Sequence, residues 1–103
     1  MKRIVLAIDT SDSDTTKVAL TIDGSRFEKM TASKQLKSQT VLPLIEELMK
    51  ERGVVAGEIS EISVHTGPGS FTGLRVGAAI ANALGLLLHI PINGQAKPII
   101  PSY

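Results

Sequence analysis

The chain has 103 residues, 43% of them apolar and 20% charged, which predicts one globular domain with no room for a second core of ordinary size. Eleven Lys and Arg stand against ten Asp and Glu, so the net charge is +1 and gives little nonspecific pull on nucleic acid or anionic lipid. Cys is absent, which excludes disulfides, zinc–thiolate centres and thiol catalysis, and the two His, His65 and His89, cannot build an all-histidine metal site.

Aromatic residues are only 3%, so the core has to be built from Ile, Val, Leu and Ala. The start, Met1-Lys2-Arg3-Ile4-Val5-Leu6-Ala7-Ile8, imitates a signal peptide but breaks at Asp9 with no small-residue cleavage site after it. A cytosolic location is compatible with the absence of Cys.

Residues 3–10 form a nearly continuous β-favouring apolar run. Such a run predicts a strand covered on both faces. Residues 16–22 alternate, with Val18, Leu20 and Ile22 on one side and Lys17, Ala19 and Thr21 on the other. Asp23-Gly24 then signals a hairpin. The return strand, 25–31, is polar enough for a sheet edge, with Phe27 and Met30 expected inward.

A helix is expected from residue 38 or 40 to Arg52, carrying Val41, Leu42, Leu44, Ile45, Leu48 and Met49 as one apolar stripe. Glu46, Glu47, Lys50 and Glu51 take the wet side, where Glu46 can pair with Lys50. Pro43 is tolerable in the first turn, and Gly53 is a plausible stop.

Residues 61–66 read as a further strand. A Gly-rich loop, 67–73, leads into a helix over 72–88, and 89–93 give a short last strand around Pro91. The most apolar stretch, 76–88, is shorter than the roughly 20 residues a bilayer span needs, so a buried helix is the better reading. The expected order is β-β-β-α-β-α-β, a mixed sheet with helices against it, occupying residues 1–103 with an irregular tail at 95–103.

Several residues could carry chemistry. The loop Gly67-Pro68-Gly69-Ser70-Phe71-Thr72-Gly73 opens a helix, where backbone N–H groups can hold an anion. It is neither a Walker loop, lacking the Lys, nor a dinucleotide fingerprint, because Thr72 stands where a third Gly is needed. The alternative is a tight turn with Ser70 or Thr72 capping the helix. Asp9 and Ser11 end the first strand, where a carboxylate can organise a metal-bound phosphate or simply begin a turn. Arg75, the single charge early in the long helix, fits an anion or a carboxylate at an interface.

Gly73, Gly77, Ala81 and Gly85 recur every four residues and make a smooth stripe. Such a stripe lets another backbone come close, either this domain's own sheet or a helix of a second protein. The helix is apolar nearly all round, which predicts an uncovered greasy face.

Ile8-Asp9-Thr10-Ser11, the helix segment Val41-Leu42-Pro43-Leu44-Ile45-Glu46-Glu47-Leu48, and above all Gly67-Pro68-Gly69-Ser70-Phe71-Thr72-Gly73-Leu74-Arg75-Val76-Gly77 resemble the TsaB (YeaZ) family. The resemblance runs from Met1 to about Gly94. It implies an actin-like, ribonuclease-H-like fold and a role in making threonylcarbamoyladenosine next to the tRNA anticodon. It also implies a noncatalytic subunit that pairs through helices with a catalytic TsaD-like paralogue, is joined by a TsaE-like ATPase, and meets tRNA only through the complex. Homodimers are expected when the chain is alone.

On this resemblance the pairing face comprises Val41, Leu42, Ile45, Leu48 and Met49 with Gly73, Val76, Gly77, Ile80, Ala81 and Leu84. Gly77→Leu or Ala81→Arg is then expected to abolish pairing without disturbing the fold. Family members are usually about twice as long, with a second related domain, and this chain is expected to carry the first. The catalytic paralogue has paired metal-binding His after the last strand. Residues 94–101 here have none, so no metal and no cofactor are expected. The rival reading is a minimal actin-like phosphotransferase or hydrolase that binds ATP and Mg²⁺ through Asp9, Ser11, Gly67, Gly69, Ser70 and Arg75.

Overall fold

A computed structural model describes residues 2–32, 39–96 and 98. Strands β1 (Ile4–Asp9), β2 (Thr15–Ile22) and β3 (Ser25–Ala32) precede helix α1 (Val41–Arg52); β4 (Glu61–Val64) and helix α2 (Phe71–Leu88) follow. The sheet order is β3-β2-β1-β4, antiparallel except for the parallel β1–β4 pair. The β2–β3 turn falls on Asp23-Gly24, both at positive φ (48° and 90°), as a type I′ hairpin requires.

Directly paired residues share a sheet face. Ile4, Leu6 and Ile8 pair with Ile22, Leu20 and Val18, and Leu6 and Ile8 also pair with Ile62 and Val64. This face is the core. Helix α1 packs on its β2–β3 half and α2 on its β4–β1 half. Both crossovers advance the same way across the sheet, so the right-handed rule puts both helices on one side. Among the described residues, the expected cover on both faces of β1 is therefore not found. Val5, Ala7 and Asp9 look onto the face opposite the two helices.

Other differences have local causes. Met30 is 61% exposed, because it lies three residues from Phe27 and so points to the opposite side of β3. The third inward position is Lys29, whose ammonium reaches Glu51 at 2.5 Å and Glu47 at 3.8 Å. Those contacts take the place of the expected Glu46–Lys50 pair, which is not formed. α1 ends at Gly53 in the left-handed region (φ 66°), as the sequence suggests. Of the two proposed starts for α1, residue 38 lies outside the described residues, and Thr40 precedes the first helical residue. β4 ends at Val64 and not at residue 66.

The last strand is reduced to one residue. Ile92 bridges Ile62 in parallel, then Asn93 (φ 50°) and Gly94 (φ 76°) turn the chain back so that Ile92 also pairs with Gln95. The Asn93 side-chain amide takes over the ladder. Its Oδ1 accepts from Val64 N–H at 2.8 Å, and its Nδ2 donates to Val64 C=O at 3.0 Å.

Candidate partner-binding face

The end of β1 and the Gly-rich loop are in contact. Ser70 N–H donates to Ser11 C=O at 2.8 Å, and a Cβ on Gly69 would sit 2.6 Å from Ser11 Cβ. The glycine is thus required by the chain's own Ser11. Asp9 Oδ1 accepts from the Ser11 hydroxyl (2.6 Å) and the Ser11 N–H (3.0 Å). Burial works to raise the Asp9 pKa, but those two bonds, with His65 and Lys17 nearby, outweigh it and hold the carboxyl below its ordinary value.

Asp9, Ser11, Gly67, Gly69 and Ser70 are therefore brought together, as the nucleotide reading asked. Several of their polar groups are bonded to one another and to the helix start. Ser70 Oγ caps α2 by accepting from Gly73 N–H (3.3 Å), and Leu74 N–H donates to Ser70 C=O (2.9 Å). Ser70, and not Thr72, is thus the cap, and the helix begins at Phe71. The cluster also carries the Asp9 carboxylate. Arg75 is not part of it: its guanidinium lies over the Phe71 ring, 5.4 Å from the centroid. Among the described residues, no group of three or more His, Asp or Glu could hold a metal ion.

The small-residue stripe of α2 faces inward. Gly73, Gly77, Ala81 and Gly85 are all buried. A Cβ on Gly77 would overlap the Thr10 hydroxyl, and one on Gly85 would lie 2.7 Å from Ile92 Cδ1. Thr10 is fully buried and donates to Gly73 C=O at 2.5 Å, so the stripe lets α2 settle on the end of β1. Gly73, Gly77 and Ala81 are therefore corrected from pairing residues to core. The same holds for Val41, Ile45 and Leu48 of α1, which lie within the chain's own core. Gly77→Leu and Ala81→Arg would strike the fold and cannot serve as tests of pairing.

Of the expected pairing residues, Leu42 is exposed, and Met49, Val76, Ile80 and Leu84 are half-buried at the margin of the core. The outer arc of α2 adds residues that sequence reasoning passed over. Phe71 (56% exposed), Leu86 (76%) and Leu87 (74%) stand out from the surface, and Ala79 and Ala83 lie exposed between them. Phe71, Thr72, Arg75, Val76, Ala79 and Ile80 line a shallow hollow of about 390 Å³ on this ridge. A helical wheel alone separates the two arcs, once the small residues are given the inner one. At 18 residues α2 is long and apolar enough to cross a membrane by length and composition, more than the 76–88 stretch suggested. A third of it is buried against its own sheet.

A second hollow, of about 380 Å³, lies on the sheet face opposite the helices. It is lined by Ala7, Asp9, Lys17, Arg26, Ser63 and His65 among others.

Comparison with known proteins agrees with this architecture. Residues 29–94, well over half the chain, match the family model described as TsaD: tRNA N6-adenosine threonylcarbamoyltransferase. The protein named tRNA threonylcarbamoyladenosine biosynthesis protein TsaB from Haemophilus influenzae is 33% identical over 88 residues, covering 85% of this chain and 37% of that one. Its Bacillus subtilis namesake is 35% identical over 93 residues, covering 90% and 41%. The solved structure of YeaZ from Pseudomonas aeruginosa superposes with a TM-score of 0.82 at 31% identity, over 87% of this chain and 42% of that one. The chain thus spans about two fifths of the length of these relatives. Its fold is the actin-like one of YeaZ, with the last strand shortened to Ile92. By its matching model and these likenesses, the chain belongs to the TsaD family, on its TsaB (YeaZ) side.

Proposed function

We propose that this chain is a noncatalytic partner subunit in tRNA threonylcarbamoyladenosine biosynthesis, pairing its helical layer with a TsaD-like catalytic protein. The observation that carries the reading is the outer arc of α2. Phe71, Leu86 and Leu87 are each more than half exposed on a helix whose inner arc is already filled. Apolar ridges of this kind on a soluble domain mark association surfaces. The relatives' name places them in the pathway, which supports that choice of partner.

Pairing acts by stabilisation: covering the ridge favours the partner's active arrangement, at about 25 cal/mol per Å² of apolar area before association costs. A TsaE-like ATPase joins the complex in the cytoplasm, tRNA is met only through the complex, and the lone chain self-associates. The nucleotide reading has less support, because the Ser11 and Ser70 N–H groups are already bonded within the chain.

Co-expression with the same organism's TsaD-like protein, followed by size-exclusion chromatography, tests the reading. Co-elution that Ala79→Arg abolishes is the expected result. A monomer at high concentration, indifferent to the TsaD-like protein, would sink it. Tight ATP–Mg²⁺ binding with turnover by the isolated chain, measured by calorimetry, would favour the enzyme instead.

A further inference from the structure

Helix α2 carries one ionisable side chain in 18 residues, and it stands on the outer arc. Arg75 is exposed and stacked on Phe71, and among the described residues no carboxylate lies within ion-pair distance of it. The other arginines are engaged. Arg3 meets Glu61 at 2.6 Å, Arg26 meets Glu28 at 3.0 Å, and Arg52 lies over Phe27 at 4.2 Å. Around Arg75 the hollow offers Thr72, Val76, Ala79 and Ile80, with no acid.

A partner that covers this ridge also strips water from the guanidinium. An uncompensated buried charge is costly. The Phe71 face compensates part of that cost. It cannot satisfy five N–H donors, which need oxygen acceptors. A carboxylate fits the planar fork with two parallel hydrogen bonds.

Resting on the pairing reading above, we infer that the partner brings a carboxylate to Arg75, set within an otherwise apolar seat for Phe71, Val76, Ala79 and Ile80. Arg75 is then the polar anchor that fixes register on a ridge whose other contacts are greasy and tolerant of sliding. A phosphate could also meet a guanidinium. Nucleic-acid binding, however, draws on several cations together, and the remainder of α2 supplies none. The observations favour a protein acid.

The test titrates the full chain against the same organism's TsaD-like protein at low and high salt. Arg75→Met keeps the stem and deletes the charge, and should weaken binding about thirtyfold or more while flattening its salt dependence. Arg75→Lys should fall between, because an ammonium lacks the fork. Arg75→Glu should be the weakest. Each variant should keep the parent circular dichroism, since the side chain is exposed.

If Arg75→Met binds as tightly as the parent while Ala79→Arg does not bind, the carboxylate inference is wrong and the seam stands. If Ala79→Arg also binds normally, the seam reading itself has failed. Arg75→Met that weakens only self-association, or only tRNA retention by the complex, with pairing to the TsaD-like protein unchanged, likewise overturns the inference.

Discussion

Helices α1 and α2 lie on the same face of one sheet, yet their outer arcs differ. On α1 five of the seven exposed residues are charged, Glu46, Glu47, Lys50, Glu51 and Arg52, beside Leu42 and Pro43, and two of those acids fasten the helix to Lys29 of the edge strand. On α2 the outward residues are Phe71, Thr72, Arg75, Ala79, Ala83, Leu86 and Leu87. Water suits the first arc as it stands. The second exposes apolar surface with a single charge. Equal burial on the inner side therefore says nothing about the outer side, and the association surface is sought on α2.

The sharpest way to break this comparison is one substitution placed on each arc of α2. Ala81 is fully buried, so Ala81→Arg puts an unpaired cation into the core. It should cost about 3 kcal/mol or more, a large share of the stability of a small domain. Ala79 lies two residues away on the outer arc, and Ala79→Arg should leave stability within about 0.5 kcal/mol of the parent. Urea denaturation followed by circular dichroism measures both. Similar midpoints for the two variants would mean the arcs are not distinguished as described.

The next effect in size concerns the seat of α2 on β1. Thr10→Val removes the donor to Gly73 C=O while keeping the β-branched shape. The loss should be about 1–1.5 kcal/mol in the same denaturation experiment. An unchanged midpoint would mean that the close approach of α2 rests on Gly77 alone.

The two arcs also show what the sequence could and could not convey. Strand and helix identities were legible because period-2 and period-3.6 patterns are set by short-range geometry. The β2–β3 turn was legible because Asp-Gly has few other uses there. Asn93-Gly94 is an equally good turn signal, and with it the shortened last strand could have been foreseen. Met30 was misplaced by parity alone.

The pairing face was the harder problem. Six of the eleven expected residues are core, three on each helix. On α2 the reason is that the helix is apolar on both arcs, and hydrophobicity does not say which one the sheet covers. The deciding facts are the Thr10 hydroxyl and the Ile92 side chain, which leave no room for a Cβ at Gly77 and Gly85. The first of those contacts joins residues far apart in the chain. The junction of Asp9 and Ser11 with the loop was foreseen as a cluster, but its internal bonding was not readable from spacing.

A smaller effect separates that junction from both helices. Asp9 titrates below its ordinary value of 3.8 in the folded chain and returns to it on unfolding. Its contribution is fully present above pH 3.8 and is lost as pH falls through the lower folded value. Asp9→Asn should therefore lower stability at neutral pH by about 1 kcal/mol, allowing for its partial exposure. The difference between parent and variant should close below pH 3.8. A gap that persists in acid would place the effect in packing and not in charge.

The smallest effect on stability is expected where the effect on association should be large. Leu86 and Leu87 are about three-quarters exposed, so a serine at either position gives up little burial within the chain. Stability should stay within about 0.5 kcal/mol of the parent. The same side chains lie at the far end of the ridge, nearly the full length of α2 from Phe71 and about three turns from Arg75. A partner helix laid along the ridge would reach both ends. The Leu86→Ser, Leu87→Ser double variant should then bind the TsaD-like protein more weakly, with its urea midpoint unmoved. A partner seated only on the hollow at Phe71, Arg75 and Ile80 would not notice the change. Comparing this double variant with Ala79→Arg in one titration series therefore measures how much of α2 is covered.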